Sequence, residues 1–285
     1  GFLYSTIEHK LKPIYLLFLL LPSSLVWTSI VGKEAIFFGF FTLLLFIWGD
    51  VIKNKCNLLD IILIILSFIV CSVLRPHYMV CILWLYFSIL IIKNFYNYKN
   101  IILFLSFFGL FSICFTIIYS DFFRDSLLLR ALSSIEYYSR ASRFIDYDIL
   151  QPQIATKLGC CYDEIIGNFK EALIKHWMYS IIGPRLDEIF VRIEFLPFFI
   201  EGIFILFFSF AFYLYAVIKK IDDFKYFNLL FIYCLIPSLI LIILVHAPFG
   251  ILNPGTGIRW RVNFEAIFYI TPLLIFFNYK YLKIK

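Results

Sequence analysis

Residues 199–218 read FIEGIFILFFSFAFYLYAVI and run directly into Lys219-Lys220. As a helix rising 1.5 Å per residue, this stretch is about 30 Å long, the thickness of the hydrocarbon core of a bilayer. Its one charged residue, Glu201, lies about one turn from the start. Seven other stretches approach the same length and character: 14–31, 36–49, 58–74, 78–92, 101–119, 226–246 and 262–278. The second and fourth of the eight, 36–49 and 78–92, are short for a full crossing.

The composition says the same. Of 285 residues 62% are hydrophobic and only 15% charged, with 36 Phe and 19 Tyr, and the mean hydropathy is +0.92. Soluble domains are nearer half apolar and a quarter charged, and no soluble core of this length hides so much apolar surface. The fold class expected is therefore all-α: a polytopic transmembrane bundle of about eight spans with a large, partly helical extracytoplasmic loop. Residues 1–119 would hold spans one to five, 120–198 the loop, and 199–285 spans six to eight. A secreted disulfide scaffold, a disordered tail and a nucleic-acid-binding domain are excluded. Gly1 to Pro13 does not read as a cleavable signal peptide.

Lys and Arg near the span ends set the orientation. With a cytoplasmic N-terminus, the inner loops carry Lys10, Lys12, Lys53, Lys55, Lys93, Lys99, Lys219, Lys220, Lys225, Lys280, Lys283 and Lys285, with no Arg among them. Every Arg falls on the other side: Arg75, Arg124, Arg130, Arg140, Arg143, Arg185, Arg192, Arg259 and Arg261. Both termini are then expected inside. Lys satisfies the topology, so outward Arg calls for another reason. Guanidinium forks match phosphate and carboxylate groups in a bidentate way that ammonium does not. The Arg from 124 to 185 stand among the many acids of the 120–198 loop and read as loop ion pairs.

That loop carries two apolar stripes at helical spacing: Phe123, Leu127, Leu128, Ala131, Leu132 and Ile135, then Ile165, Ile166, Phe169, Leu173 and Trp177. Cys71, Cys81, Cys114 and Cys234 lie inside apolar runs as small hydrophobes. Cys160-Cys161 are adjacent, and no Cys/His spacing points to a metal.

Four short motifs sit at span boundaries on the expected outer side. The first runs from Pro22-Ser23-Ser24 through Trp27-Thr28-Ser29 to Gly32-Lys33-Glu34; Lys33 and Glu34 are either a turn between spans or part of a site. The second is Arg75-Pro76-His77-Tyr78, where His77 is either a proton shuttle or an interfacial bystander. The third, Gly183-Pro184-Arg185 to Phe195-Leu196-Pro197, leads into the span with Glu201. An ionisable residue inside a span marks a functional site by default, while the plain alternative is a pair with Arg192 or an Arg of another loop. The fourth is His246-Ala247-Pro248-Phe249-Gly250, then Asn253-Pro254-Gly255-Thr256-Gly257-Ile258-Arg259-Trp260-Arg261. Its Gly and Pro residues predict an irregular turn whose backbone N–H groups form an anion-binding concavity. Glu265 is spaced to pair with Arg261 as i, i+4.

In order and content, the stretches 22–34, 75–78, 183–201 and 253–261 resemble the O-antigen polymerase (Wzy-like) and related capsule polymerase group of bacterial envelope membrane proteins. The chain departs from that group in having Trp260 between its two Arg, where Tyr is more usual. Its eight expected spans are also fewer than the group's ten or more, which fits missing N-terminal spans. The resemblance implies an enzyme of the bacterial inner membrane that joins undecaprenyl-pyrophosphate-linked oligosaccharide repeat units at the outer face. It implies no cofactor and no metal; chain-length regulator and flippase proteins are the partners it brings with it. The chemistry needs Arg on the pyrophosphate and a base for the acceptor hydroxyl. Arg75, Arg259 and Arg261 fit the first role, with Lys33 and Asn253 beside them. Glu34, His77, Glu201 and His246 remain open for the second. Two rival readings are a metal-assisted polyprenyl-phosphate-sugar transferase and a non-enzymatic flippase or carrier for the same lipid-linked glycan.

Overall fold

The computed structural model describes residues 20–29, 32–94, 107, 109, 178–184, 186–250 and 254–281. The fifth expected span apart from Phe107 and Gly109, both apolar stripes of the 120–198 loop, Cys160-Cys161 and Asn253 lie outside the described residues. Within them every regular element is helical. They are α1 (Pro22–Ser29), α2 (Lys33–Lys53), α3 (Leu58–Leu74), α4 (Met79–Asn94), α5 (Tyr179–Ile182) and α6 (Leu186–Val191). There follow α7 (Leu196–Ile218), α8 (Phe224–Leu229), α9 (Ile236–Gly250), α10 (Pro254–Arg261) and α11 (Ala266–Asn278).

Among the described residues, five helical stretches are long and apolar enough to cross a membrane: Lys33–Lys53, Pro76–Lys93, Ile193–Ile218, Phe224–Ala247 and Gly257–Tyr281. Leu58–Leu74 is a shorter apolar helix. The described residues are thus all-helical, with the long apolar helices of a membrane protein. Two sequence expectations change in detail. The stretch 36–49 is part of the longer Lys33–Lys53, so it is not short. In the stretch 14–31 the described residues show a turn at Leu20-Leu21 rather than helix, and α1 starts at Pro22. Pro22 is the reason: it disfavours helical geometry at Leu21 and, lacking an N–H, suits the first position of a new helix.

The turn between α2 and α3 is fixed locally. Asn54 takes the left-handed conformation at φ 57° and ends α2, its N–H meeting the carbonyls of Asp50 and Val51. Asn57 and Asp60 then form a reciprocal capping box, each side chain accepting the other's backbone N–H at 2.9 Å.

Gly257–Tyr281 forms the centre, with nearly all of α11 buried, whereas α7 and α3 turn long rows of Ile, Leu and Phe outward. In a bilayer those rows face lipid. Prolines inside two of the spans remove a backbone donor each, and a neighbouring helix restores the bond both times. Pro272 cannot donate to Phe268 O, which accepts from Ser209 Oγ at 2.7 Å instead. Pro237 cannot donate to Tyr233 O, and Trp84 Nε1 supplies that bond at 2.8 Å. The helix just before Pro237, Leu230–Leu235, is widened to π geometry.

The charges divide between the two ends of the bundle. At one end Glu34 meets Arg75 and Arg259, and Glu201 meets Arg261. At the other, Lys53 meets Asp50, Lys93 meets Asn54, and Lys280 meets Asp222.

Candidate functional site

The Arg-bearing end holds two neighbouring clusters, joined through α10, whose last residues are Arg259, Trp260 and Arg261. That segment differs from its sequence expectation. Rather than an irregular turn, Pro254–Arg261 is a two-turn helix, begun by Pro254 at a position where its missing N–H is no loss. The helix carries Arg259 and Arg261 to different partners.

The first cluster is buried except for one of its side chains. Glu34, in the first turn of α2, is buried, and its Oε1 receives Arg75 Nη2 at 3.2 Å, Arg259 Nε at 3.0 Å and Arg259 Nη2 at 2.9 Å. Arg75 sits where α3 ends and the turn to α4 begins, and its guanidinium carbon lies 4.2 Å from the centroid of the Trp260 ring, a cation–π stack. Its Nε is buried without a hydrogen-bond partner. The Arg259 side chain is 43% exposed. Two guanidinium groups thus converge on one carboxylate.

The second cluster is closed. Arg261 is fully buried on α10. Its Nη1 donates to the carbonyls of Ile181 (3.0 Å), Ile182 (3.0 Å) and Phe198 (3.2 Å), and its Nη2 to Glu201 Oε2 at 2.8 Å and Ser23 Oγ at 3.3 Å. The orphan carbonyls at the end of α5 thus find a charged donor. Glu201 also accepts the Ser23 N–H at 3.0 Å and its hydroxyl at 2.6 Å. Glu265 accepts from Ser24 Oγ, lies 3.0 Å from Ser23 Oγ, and is 3.9 Å from Arg261 Nε. Both carboxylates therefore sit at the N-terminus of α1, where N–H groups and the helix dipole favour negative charge.

Close approach makes this junction possible. A Cβ on Gly202 would stand 1.9 Å from Ile182 O and 2.6 Å from Arg261 Nη1. Gly183, just after α5, has φ +95°, a left-handed conformation that side chains resist.

The histidines form a third group. The Tyr78 hydroxyl lies 2.8 Å from His246 Nδ1, with both side chains fully buried. His77 packs edge-on against Tyr78 with ring centroids 4.1 Å apart. Lys33 is exposed at the start of α2.

Of the residues singled out in the sequence, the structure brings Glu34, Arg75 and Arg259 into one cluster and Glu201 and Arg261 into another. His246 joins Tyr78 in a separate contact. The expected pairing of Glu265 with Arg261 is present as the 3.9 Å approach, and the Arg partner of Glu201 is Arg261. Sequence reasoning gave no role to Ser23, Ser24 or Tyr78, and took Trp260 as an interface anchor rather than a partner of Arg75. For the serines the available signal was two hydroxyls beside Pro22 in an apolar stretch, each needing a partner once buried.

No family model, curated protein or solved structure matches this chain.

Proposed function

We propose that the protein is a membrane-embedded glycan polymerase acting on polyprenyl-pyrophosphate-linked repeat units, with the Arg75–Glu34–Arg259 cluster as its pyrophosphate site. The observation that carries the reading is the convergence of two guanidinium groups on a single carboxylate, one of them 43% exposed and the other stacked on Trp260. Guanidinium pairs suit the fixed oxygen geometry of a pyrophosphate, and Trp is at home at the level of lipid headgroups. The segregation of Arg from Lys fits an Arg-bearing end on the outer face of a bacterial inner membrane, with both termini cytoplasmic.

In this reading the acceptor hydroxyl oxygen bonds to the anomeric carbon of the growing glycan. The bond from that carbon to the pyrophosphate oxygen breaks, and the lipid pyrophosphate leaves with the electron pair. Arg75 and Arg259 hold the charge that develops there. Glu34 stands within the same cluster, so it is the base assigned to the hydroxyl proton. His246 is tied to Tyr78, and Glu201 is enclosed with Arg261; both are given supporting roles. Arg261 fixes the junction of α1, α5 and α7.

Purified protein in liposomes, given lipid-linked repeat units on one side, tests this. Wild type should produce a ladder of longer glycans. R259A and R75A should leave single repeats, at unchanged protein level. Normal ladders from both variants sink the proposal, and repeat units that cross the bilayer without polymerising favour a carrier.

A further inference from the structure

The closed cluster poses a counting problem. Three oxygen–oxygen contacts link its hydroxyls and carboxyls: Ser23 Oγ to Glu201 Oε1 at 2.6 Å, Ser23 Oγ to Glu265 Oε2 at 3.0 Å, and Ser24 Oγ to Glu265 Oε1. Each needs one hydrogen between its oxygens, because two lone pairs face to face at such distances repel. The two serine hydroxyls supply two hydrogens. Arg261 supplies none to these contacts: its Nη2 donates to Glu201 Oε2 and Ser23 Oγ, and its Nε is too far from Glu265 for a hydrogen bond. One hydrogen is missing.

We propose that Glu201 and Glu265 are a proton-binding pair and that the missing hydrogen is a carboxyl proton on Glu265, donated from Oε2 to Ser23 Oγ. Ser23 then passes its own hydroxyl hydrogen to Glu201, and Ser24 donates to Glu265 Oε1, so all three contacts are satisfied. Charge agrees with the count. Arg261 and two ionised carboxylates would leave a net negative charge in a volume from which Ser23, Ser24, Glu201, Arg261 and Glu265 are all excluded from solvent. One proton makes the cluster neutral, and a buried charge left without a counter-charge is costly. Among the described residues Arg261 is the cation that faces the pair. Arg259, on the same helix, is turned to Glu34. Arg192 and Glu194, ahead of α7, are exposed.

The proton has a structural consequence. α1 is held to α7 and to Glu265 through Ser23 and Ser24, so losing it sets an anion against the Ser23 oxygen and loosens the seat of α1. This site is distinct from the pyrophosphate cluster, and its test does not use glycan synthesis.

Infrared spectroscopy of the full chain in micelles at neutral pH, with isotopically labelled Glu, reads the proton directly. Wild type should show a protonated-carboxyl C=O stretch that shifts in heavy water. The band should persist in E34Q and vanish in E265Q, whose amide replaces the carboxyl proton with an N–H donor. A wild-type spectrum without the band, or a band that survives in E265Q, overturns the proposal. Where E265Q does not accumulate, S23A carries the test: losing the shared hydroxyl must shift the wild-type band, and an unmoved band overturns the assignment equally.

Discussion

Arg261 Nη2 lies 2.8 Å from Glu201 Oε2, and both side chains are shut away from solvent. Removing one partner of such a pair leaves the other charge buried and uncompensated, at a cost of about 3–5 kcal/mol. Here R261A also strips the donor from three carbonyls, so it should lie at the upper end. R261K should recover little, because an ammonium cannot span the carbonyls and the carboxylate at once. Thermal unfolding in detergent checks both; an R261A protein as stable as wild type would contradict the closed cluster.

Gly202 and Gly39 make a matched pair on two membrane helices. A methyl at Gly202 collides with the Ile182 carbonyl at 1.9 Å, whereas a methyl at Gly39 meets nothing within 4 Å. G202A should cost at least about 1–3 kcal/mol through forced separation of α5 from α7. G39A should be neutral or gain up to about 1 kcal/mol from better helix propensity. The difference between the two melting temperatures is the measurement.

Pro272 and Ser209 should be coupled. In wild type the Ser209 hydroxyl is the donor to the carbonyl that Pro272 leaves free, so S209A should cost about 1–3 kcal/mol for a buried unsatisfied carbonyl. In a P272A background the new N–H can reach Phe268 O within the helix, and the same S209A change should cost less. A double-mutant cycle measures the difference; strictly additive effects would show that Ser209 is not compensating for the proline.

Much of this was legible before the structure. Length and apolarity mark the spans at 199–218 and 226–246 because a bilayer demands both. Glu201 stood out because a carboxylate inside an apolar run must find a partner. The choice of partner was not legible: Arg192 is nine residues away in sequence, Arg261 sixty, and only the packing of α10 against α5 and α7 selects the latter. The sorting of Arg259 from Arg261 was equally hidden. Two residues apart, they look alike in a list of cations, but one is 43% exposed and the other fully buried, and this follows from the helical geometry of Pro254–Arg261. Phe268 O and Tyr233 O were implied by proline positions alone, while their donors come from other helices.

Cys56 offers a test of orientation. It is exposed in the turn between α2 and α3, at the Lys-bearing end. Partial burial of its thiol and then the carboxylates of Asp60 and Asp50 push it above the ordinary thiol range, against a smaller pull from Lys93. Maleimide reacts with the thiolate, so labelling should be slow at neutral pH and quicken by about tenfold per unit as pH rises toward that raised value. In a variant with the other cysteines replaced, an impermeant maleimide should label Cys56 only after the inner membrane is opened. Labelling of intact spheroplasts would place this end outside and reverse the proposed topology.

Glu34 competes for the guanidinium groups that the proposed ligand would use. With Arg75 and Arg259 both donating to its Oε1, an incoming pyrophosphate must displace a carboxylate that is already in place. E34Q keeps the shape and removes the charge that faces both guanidinium groups. Inorganic pyrophosphate, titrated by calorimetry against the purified protein, should therefore bind E34Q more tightly than wild type. A change of about 1.4 kcal/mol would be tenfold in affinity. R259A should weaken binding by a comparable factor. The same E34Q protein should nevertheless make no glycan ladder, since it has lost the base assigned to the acceptor hydroxyl. Tighter binding with lost synthesis separates the two roles of Glu34, competitor and base; weaker binding in E34Q would mean that the carboxylate orders the two arginines for the anion rather than competing with it.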